Sequence, residues 1–261
     1  PDTAHRAPAV LARAYWATGR WAEAHASLDQ LEAYAGRCRL DRPLAYLLAM
    51  RVGMHLQRGE VDLAEAALAK ARALRARHAA EDTRTARAVR QSADLADVDM
   101  YLHRGDFDAA AARLGTMIAQ YRAERRGRAA VAMQMRLAAA EFGRGQEKAA
   151  REQLLAALEA GRRFGAIRGV VDTSPRMPSV IDALLKGVDL DPVLAFYVQR
   201  LLRANAQAPG RTGEEARPPR ASLGGLSERE MEVLRLLGDA LPNKKIARTL
   251  GVSPDTVKFH L

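Results

Sequence analysis

Residues 101–114 read YLHRGDFDAAAARL. One apolar-periodic stretch stops at Gly105 and another starts at Phe107. Ala110 stands five residues after the glycine and Leu114 four residues after that. Glycine permits the left-handed conformation that ends a helix. A small alanine lets the following helix approach the preceding one closely. The segment therefore predicts a tight helical hairpin, with Phe107 wedged into the angle between its two helices.

The same pattern occurs three more times. YWATGRWAEAHASL carries Gly19, Trp21, Ala24 and Leu28. LQRGEVDLAEAAL carries Gly59, Val61, Ala64 and Leu68. FGRGQEKAAREQL carries Gly145, Ala150 and Leu154, with Glu147 at the wedge position. Successive glycines lie 40, 46 and 40 residues apart. One hairpin cannot bury its apolar stripe alone, so neighbouring hairpins must stack. This pattern resembles tetratricopeptide repeats across roughly residues 10–165. The spacing exceeds the family's usual ~34 residues, which implies longer helices and a looser variant.

Composition agrees with an all-α fold. Of the 261 residues 48% are hydrophobic and only 5% aromatic. Such an alanine-rich chain suits close-packed helices better than a large sheet. Lone Cys38 leaves no intrachain disulfide and no cysteine-based zinc site, and a reducing cytoplasm is the natural setting. No apolar run is long enough to span a membrane. The first residues, PDTAHRAPAV, lack a signal-peptide pattern. The chain starts without Met and stops at Leu261 inside a helical pattern, so it reads as part of a longer protein.

The formal charge is +10, from 41 basic and 31 acidic residues. Only six of the basic residues are Lys, three of them Lys244, Lys245 and Lys258. Residues 222–261 carry six basic and five acidic side chains. The excess thus belongs to an arginine-rich helix surface, and net basicity by itself is weak support for nucleic-acid affinity.

Beyond the repeats, the Pro175–Pro178 region starts a helix around VIDALL. Pro192 suits the first turn of another, VLAFYVQRLL. Both are expected to cap the stacked hairpins. The stretch AQAPGRTGEEARPPRAS, residues 206–222, has no apolar periodicity and reads as a flexible linker. It divides a helical-repeat domain, residues 1–205, from a terminal domain, residues 223–261.

That terminal domain contains LSEREMEVLRLLGDALPNKKIARTLGVSPDTVKFHL. Ser227 and Glu230 form a capping box. Met231, Leu234 and Leu237 give the first helix its stripe. Asn243 can cap a second, short helix whose inward positions are Ile246, Ala247 and Leu250. Gly251 turns the chain, and Ser253 with Pro254 opens a third helix. This spacing fits a helix-turn-helix. With Val257 and Leu261 facing in, Asp255, Thr256 and Lys258 are left on the outward face, where a recognition helix meets a major groove.

The elements LSERE, EVLRLL, NKKIARTL and VSPDTVKFHL, in that order, resemble the LuxR/GerE-type DNA-binding domain. Repeats, linker and terminal domain together look like the C-terminal half of large MalT-like LuxR regulators. The resemblance implies a bacterial, cytoplasmic transcription regulator that binds double-stranded promoter DNA and senses an effector ligand or protein partner through its repeats. It also implies a fourth helix beyond Leu261 that serves dimer contact, hence a homodimer on DNA, and an upstream nucleotide-binding module. No phosphate-binding loop occurs in this chain. Leu241 and Pro242 depart from the polar residue the family prefers before the asparagine.

Roles follow for the DNA-binding candidates. Lys258 suits direct groove contact, to phosphate or to guanine acceptors. Thr256 and Ser253 suit phosphate at the helix start. Asn243 and Lys244 suit the backbone at the preceding helix start. Asp255 would repel phosphate and so faces bases, as a cytosine acceptor, or solvent. The alternative function is a helical-repeat scaffold for protein–protein interaction. No nucleophile elbow and no His-Glu-x-x-His occurs, so an enzyme is not expected. Six scattered histidines show no metal-ligand spacing, and neither metal nor cofactor is expected. Asp94, Asp97 and Asp99 read as a solvated helix face, and Met133 and Met135 as fillers between repeats.

Overall fold

The computed structural model describes residues 6–166, 173, 177–206 and 248. Two compact units divide the chain, Pro1–Gly213 and Glu214–Leu261. Within the first, the described residues form ten helices and no strand. They are α1 Arg6–Ala17, α2 Trp21–Arg37, α3 Asp41–Arg58, α4 Val61–Arg77, α5 Arg84–Arg104, α6 Phe107–Ala123, α7 Gly127–Gly143, α8 Glu147–Arg163, α9 Met177–Leu185 and α10 Pro192–Ala206. From α1 to α8 each helix packs on its neighbours in sequence, and α3 packs on α5 as well. Helix α9 packs on α7 and α8, and α10 packs on α8.

The four repeat glycines end helices as expected. Gly19, Gly59, Gly105 and Gly145 have φ of 76°, 74°, 80° and 73°, a region that side chains with a Cβ rarely enter. After each glycine the next amide donates to the carbonyl five residues earlier. The bonds run from Arg20 to Tyr15, Glu60 to His55, Asp106 to Tyr101 and Gln146 to Glu141, each 2.9 Å long. This closes the helix end by satisfying a carbonyl that has lost its helical partner.

Two of the loops between hairpins use the same turn without glycine. Arg39 and Arg125 adopt φ of 51° and 55°, and the following amides again reach back, Leu40 to Ala35 and Arg126 to Tyr121 at 2.8 Å. Left-handed residues therefore fall at positions 19, 39 and 59 and again at 105, 125, 145 and 165. The true module is one helix and one turn every 20 residues, and a hairpin is two of them. The longer middle spacing is absorbed by the α4–α5 connection and by the 21-residue α5. That connection ends differently, with the Thr83 hydroxyl accepting the Ala86 amide at 3.0 Å to cap α5.

Ala24, Ala64, Ala110 and Ala150 are fully buried, as are Leu28, Leu114 and Leu154, with Leu68 at 3% exposure. The second helix of each hairpin thus faces its core in one register, including α8, which starts at Glu147. Burying each such leucine contributes about 2 kcal/mol. The wedge position behaves differently from expectation. Phe107 is only half-buried, and its ring lies where a Cβ on Gly143 would come within 2.5 Å of it. Gly143 ends α7, so Phe107 also reaches the next hairpin. Trp21 does both, with its ring centroid 6.4 Å from that of Trp16 in α1 and the Arg58 guanidinium of α3 4.3 Å above its ring.

Pro192 opens α10, and Asp191 Oδ1 caps it by accepting the amides of Val193 and Leu194 at 3.0 and 3.2 Å. Met177, Ile181 and Leu184 of α9 join Leu194, Tyr197, Val198 and Leu201 of α10 against Leu154 and Leu158. The Tyr197 hydroxyl donates to the Ala166 carbonyl, and burial pushes its pKa up to about 12. Met133 and Met135, two apart on α7, enter separate cores. Met133 joins the α5–α6 side and Met135 the α8–α10 side.

Candidate functional site

The charged side chains of the middle helices pair across helices. Asp97 of α5 is buried at 1% exposure and accepts from Arg72 and Arg75 of α4, at 2.7 Å from each. Asp94 accepts from Arg75 at 2.8 Å and from Arg113 of α6 at 3.3 Å. Asp99 meets Arg136 of α7 at 2.7 Å, and both side chains are nearly buried. These aspartates are therefore no solvated face, as their spacing on one helix suggested. Burial pulls the Arg75 pKa down, but its hydrogen bonds to Asp97 and Asp94 and their charges outweigh it and the net shift is upward. A buried carboxylate stays charged only when paired in this way.

An open groove of about 450 Å³ runs beside α6, α7 and α8. Ile118 and Leu137 give it apolar walls, and Arg122, Gln134, Glu152 and Gln153 supply polar groups. Its mixed lining suits an extended or polar partner better than a compact apolar ligand.

At the other end of the unit, one cluster unites histidines that their sequence spacing kept apart. His25 of α2, His55 of α3 and Glu60, the residue capping α4, hold ligand-type atoms within 4.8 Å of one another. The glycine turn sets half of this locally, because the Glu60 amide binds the His55 carbonyl and brings the two side chains together. His55 Nδ1 lies 2.7 Å from Glu60 Oε2. Packing of α2 on α3 supplies His25, whose ring stacks on His55 with centroids 5.1 Å apart. Trp16 meets His25 edge-on at 5.8 Å. Burial, then the charges of His55 and Arg51, hold the His25 pKa below its usual value. Hydrogen bonds from Arg58 and His55 hold the Glu60 carboxyl low. The repeat register could have revealed this set, since His55 and Glu60 stand four before and one after Gly59.

The six DNA-binding candidates, Asn243, Lys244, Ser253, Asp255, Thr256 and Lys258, lie outside the described residues. Within residues 214–261 the structure describes Arg248 alone, helical and exposed.

Comparison with known proteins adds to this part of the chain. Residues 225–261 match the family model GerE, described as bacterial regulatory proteins of the luxR family. No curated protein matches the chain, and no solved structure matches it. The C-terminal end of the chain, residues 225–261, is a luxR-family helix-turn-helix domain, and the described residues that precede it form helices and no strand.

Proposed function

We propose that this chain is part of a bacterial, cytoplasmic transcription regulator. Its luxR-type domain binds double-stranded promoter DNA, and its stacked hairpins, in residues 1–205, receive an effector ligand or protein partner. The single observation that carries this reading is the family match at residues 225–261. The groove beside α6–α8 supports the second half, because it offers both charge and apolar wall to a partner. Residues 206–222 link the two domains, so a bound partner acts by shifting the population of chains free to pair on DNA.

Within the domain, Lys258 contacts the duplex directly. Ser253 and Thr256 hold phosphate at the start of the recognition helix, Asn243 and Lys244 clamp the backbone, and Asp255 accepts from cytosine. DNA selected from a random pool by the full-length protein supplies the duplex for testing. Anisotropy titrations at several salt concentrations then compare wild type with Lys258→Ala. Loss of a phosphate contact lowers the salt slope by about 1 and weakens binding uniformly across sequences. Unchanged affinity and slope would remove Lys258 from the interface.

A further inference from the structure

We propose that His25, His55 and Glu60 form a binding site for a divalent first-row transition ion of the zinc class. The three residues come from three successive elements, α2, α3 and the cap of α4, and their ligand-type atoms lie within 4.8 Å of one another. Donors around a tetrahedral ion with bonds of about 2.1 Å stand roughly 3.4 Å apart. Binding an ion draws the more distant donors together and opens the His55–Glu60 pair, now 2.7 Å apart. Two imidazoles and one carboxylate select zinc, cobalt or nickel over calcium or magnesium, which prefer all-oxygen shells. Three protein ligands leave a fourth position open to water or another ligand.

The surroundings fit an ion. Arg58 Nε holds Glu60 Oε1 at 2.6 Å, so Oε2, which faces His55 Nδ1 at 2.7 Å, is the oxygen that turns to the metal while Arg58 keeps the carboxylate oriented. Arg51, the other nearby cation, is already engaged by Asp29 and by Glu32. Trp16 covers the His25 ring edge-on and packs near Trp21, with ring centroids 6.4 Å apart. A bound ion ties the first hairpin to the second and fixes how α2 meets α3 and α4. The site is independent of the DNA-binding reading and stands or falls without it.

The chain holds only two tryptophans, Trp16 and Trp21, and Trp16 touches His25. Cobalt(II) bound here quenches their emission and shows a visible ligand-field band. Titration of the full chain is expected to saturate at one cobalt per chain, to reverse with EDTA, and to be competed by zinc. His25→Ala and Glu60→Gln, each with far-ultraviolet circular dichroism like wild type, weaken cobalt binding by about tenfold or more. Absence of saturable binding, or unchanged affinity in both variants, would overturn the site. Should a variant lose helix, imidazole NMR of the wild-type chain decides. Added zinc must shift the His25 and His55 ring signals together while leaving those of His78 and His103 in place; shifts at His78 or His103 instead reject the proposal.

Discussion

The α4–α5 interface and the α8–α10 end solve one problem with opposite materials. At α8–α10, leucine, isoleucine, valine and methionine interlock, with Leu154, Leu158 and Leu184 fully buried. At α4–α5, Asp97 lies equally deep but is surrounded by arginines. Apolar contact rewards burial in any well-packed register. A buried ion pair contributes little net energy, because desolvation offsets most of its attraction. It does penalise every register that leaves Asp97 unpaired. The contrast suggests that the apolar end supplies stability, whereas the ionic interface selects how α4 meets α5 after the longer connection that interrupts the 20-residue period.

The largest expected effect tests the apolar end. Leu154→Ala leaves a cavity among α7–α10 and lowers unfolding free energy by about 3 kcal/mol, as urea denaturation can measure. Asp97→Ala strips Arg75 of one of its two partners and costs less, about 2 kcal/mol. Half-exposed Arg72 turns to water at little cost. A larger loss for Asp97→Ala than for Leu154→Ala would invert the assignment of roles.

Smaller changes sharpen the comparison at the turns. Arg125→Gly relieves a left-handed backbone that costs an L-residue about 1–2 kcal/mol. The greater unfolded-state freedom of glycine cancels part of that. A net gain of about 0.5 kcal/mol, seen as a higher denaturation midpoint, is expected.

The smallest effect concerns pH. At the C-terminal end of α4, His78 Nε2 lies 2.8 Å from Asp41 Oδ2 and His78 Nδ1 lies 3.0 Å from Glu81 Oε2. The hydrogen bond to Asp41, then that to Glu81, raises its pKa above 6.5. Its contribution to stability is therefore complete below about pH 6.5, the unfolded value. It is lost as pH rises through the higher folded value. Thermal melts of wild type should fall modestly across that window, and those of His78→Gln should be flatter. A wild-type profile as flat as the variant's would show that the pair contributes nothing.

Much of the helical unit was legible because its signals are local. Gly19, Gly59, Gly105 and Gly145 mark turns by what their own backbone allows, and Ala and Leu at fixed offsets mark the buried face. Pro192 announces α10 in the same way. Arg39 and Arg125 were illegible as turns, since nothing in an arginine predicts positive φ; only the packed helices on either side impose it. The wedge residues were legible only in part for a related reason. Their offset from glycine fixes where they start, and the neighbouring hairpin fixes where they end. The six candidate DNA contacts rest on the sequence motif alone, since they lie outside the described residues.

The sequence by itself determined the helical class, the four glycine turns, the buried register of each second helix and the luxR-type domain at the C-terminal end. Each depends on residues within a few positions of one another, where 3.6-residue periodicity and glycine chemistry act directly. The tertiary structure alone decided that Asp97 pairs with Arg72 and Arg75, that Asp99 pairs with Arg136, and that His25 joins His55 and Glu60. Those partners come from different helices, and only the packing of one helix on the next brings their side chains within reach.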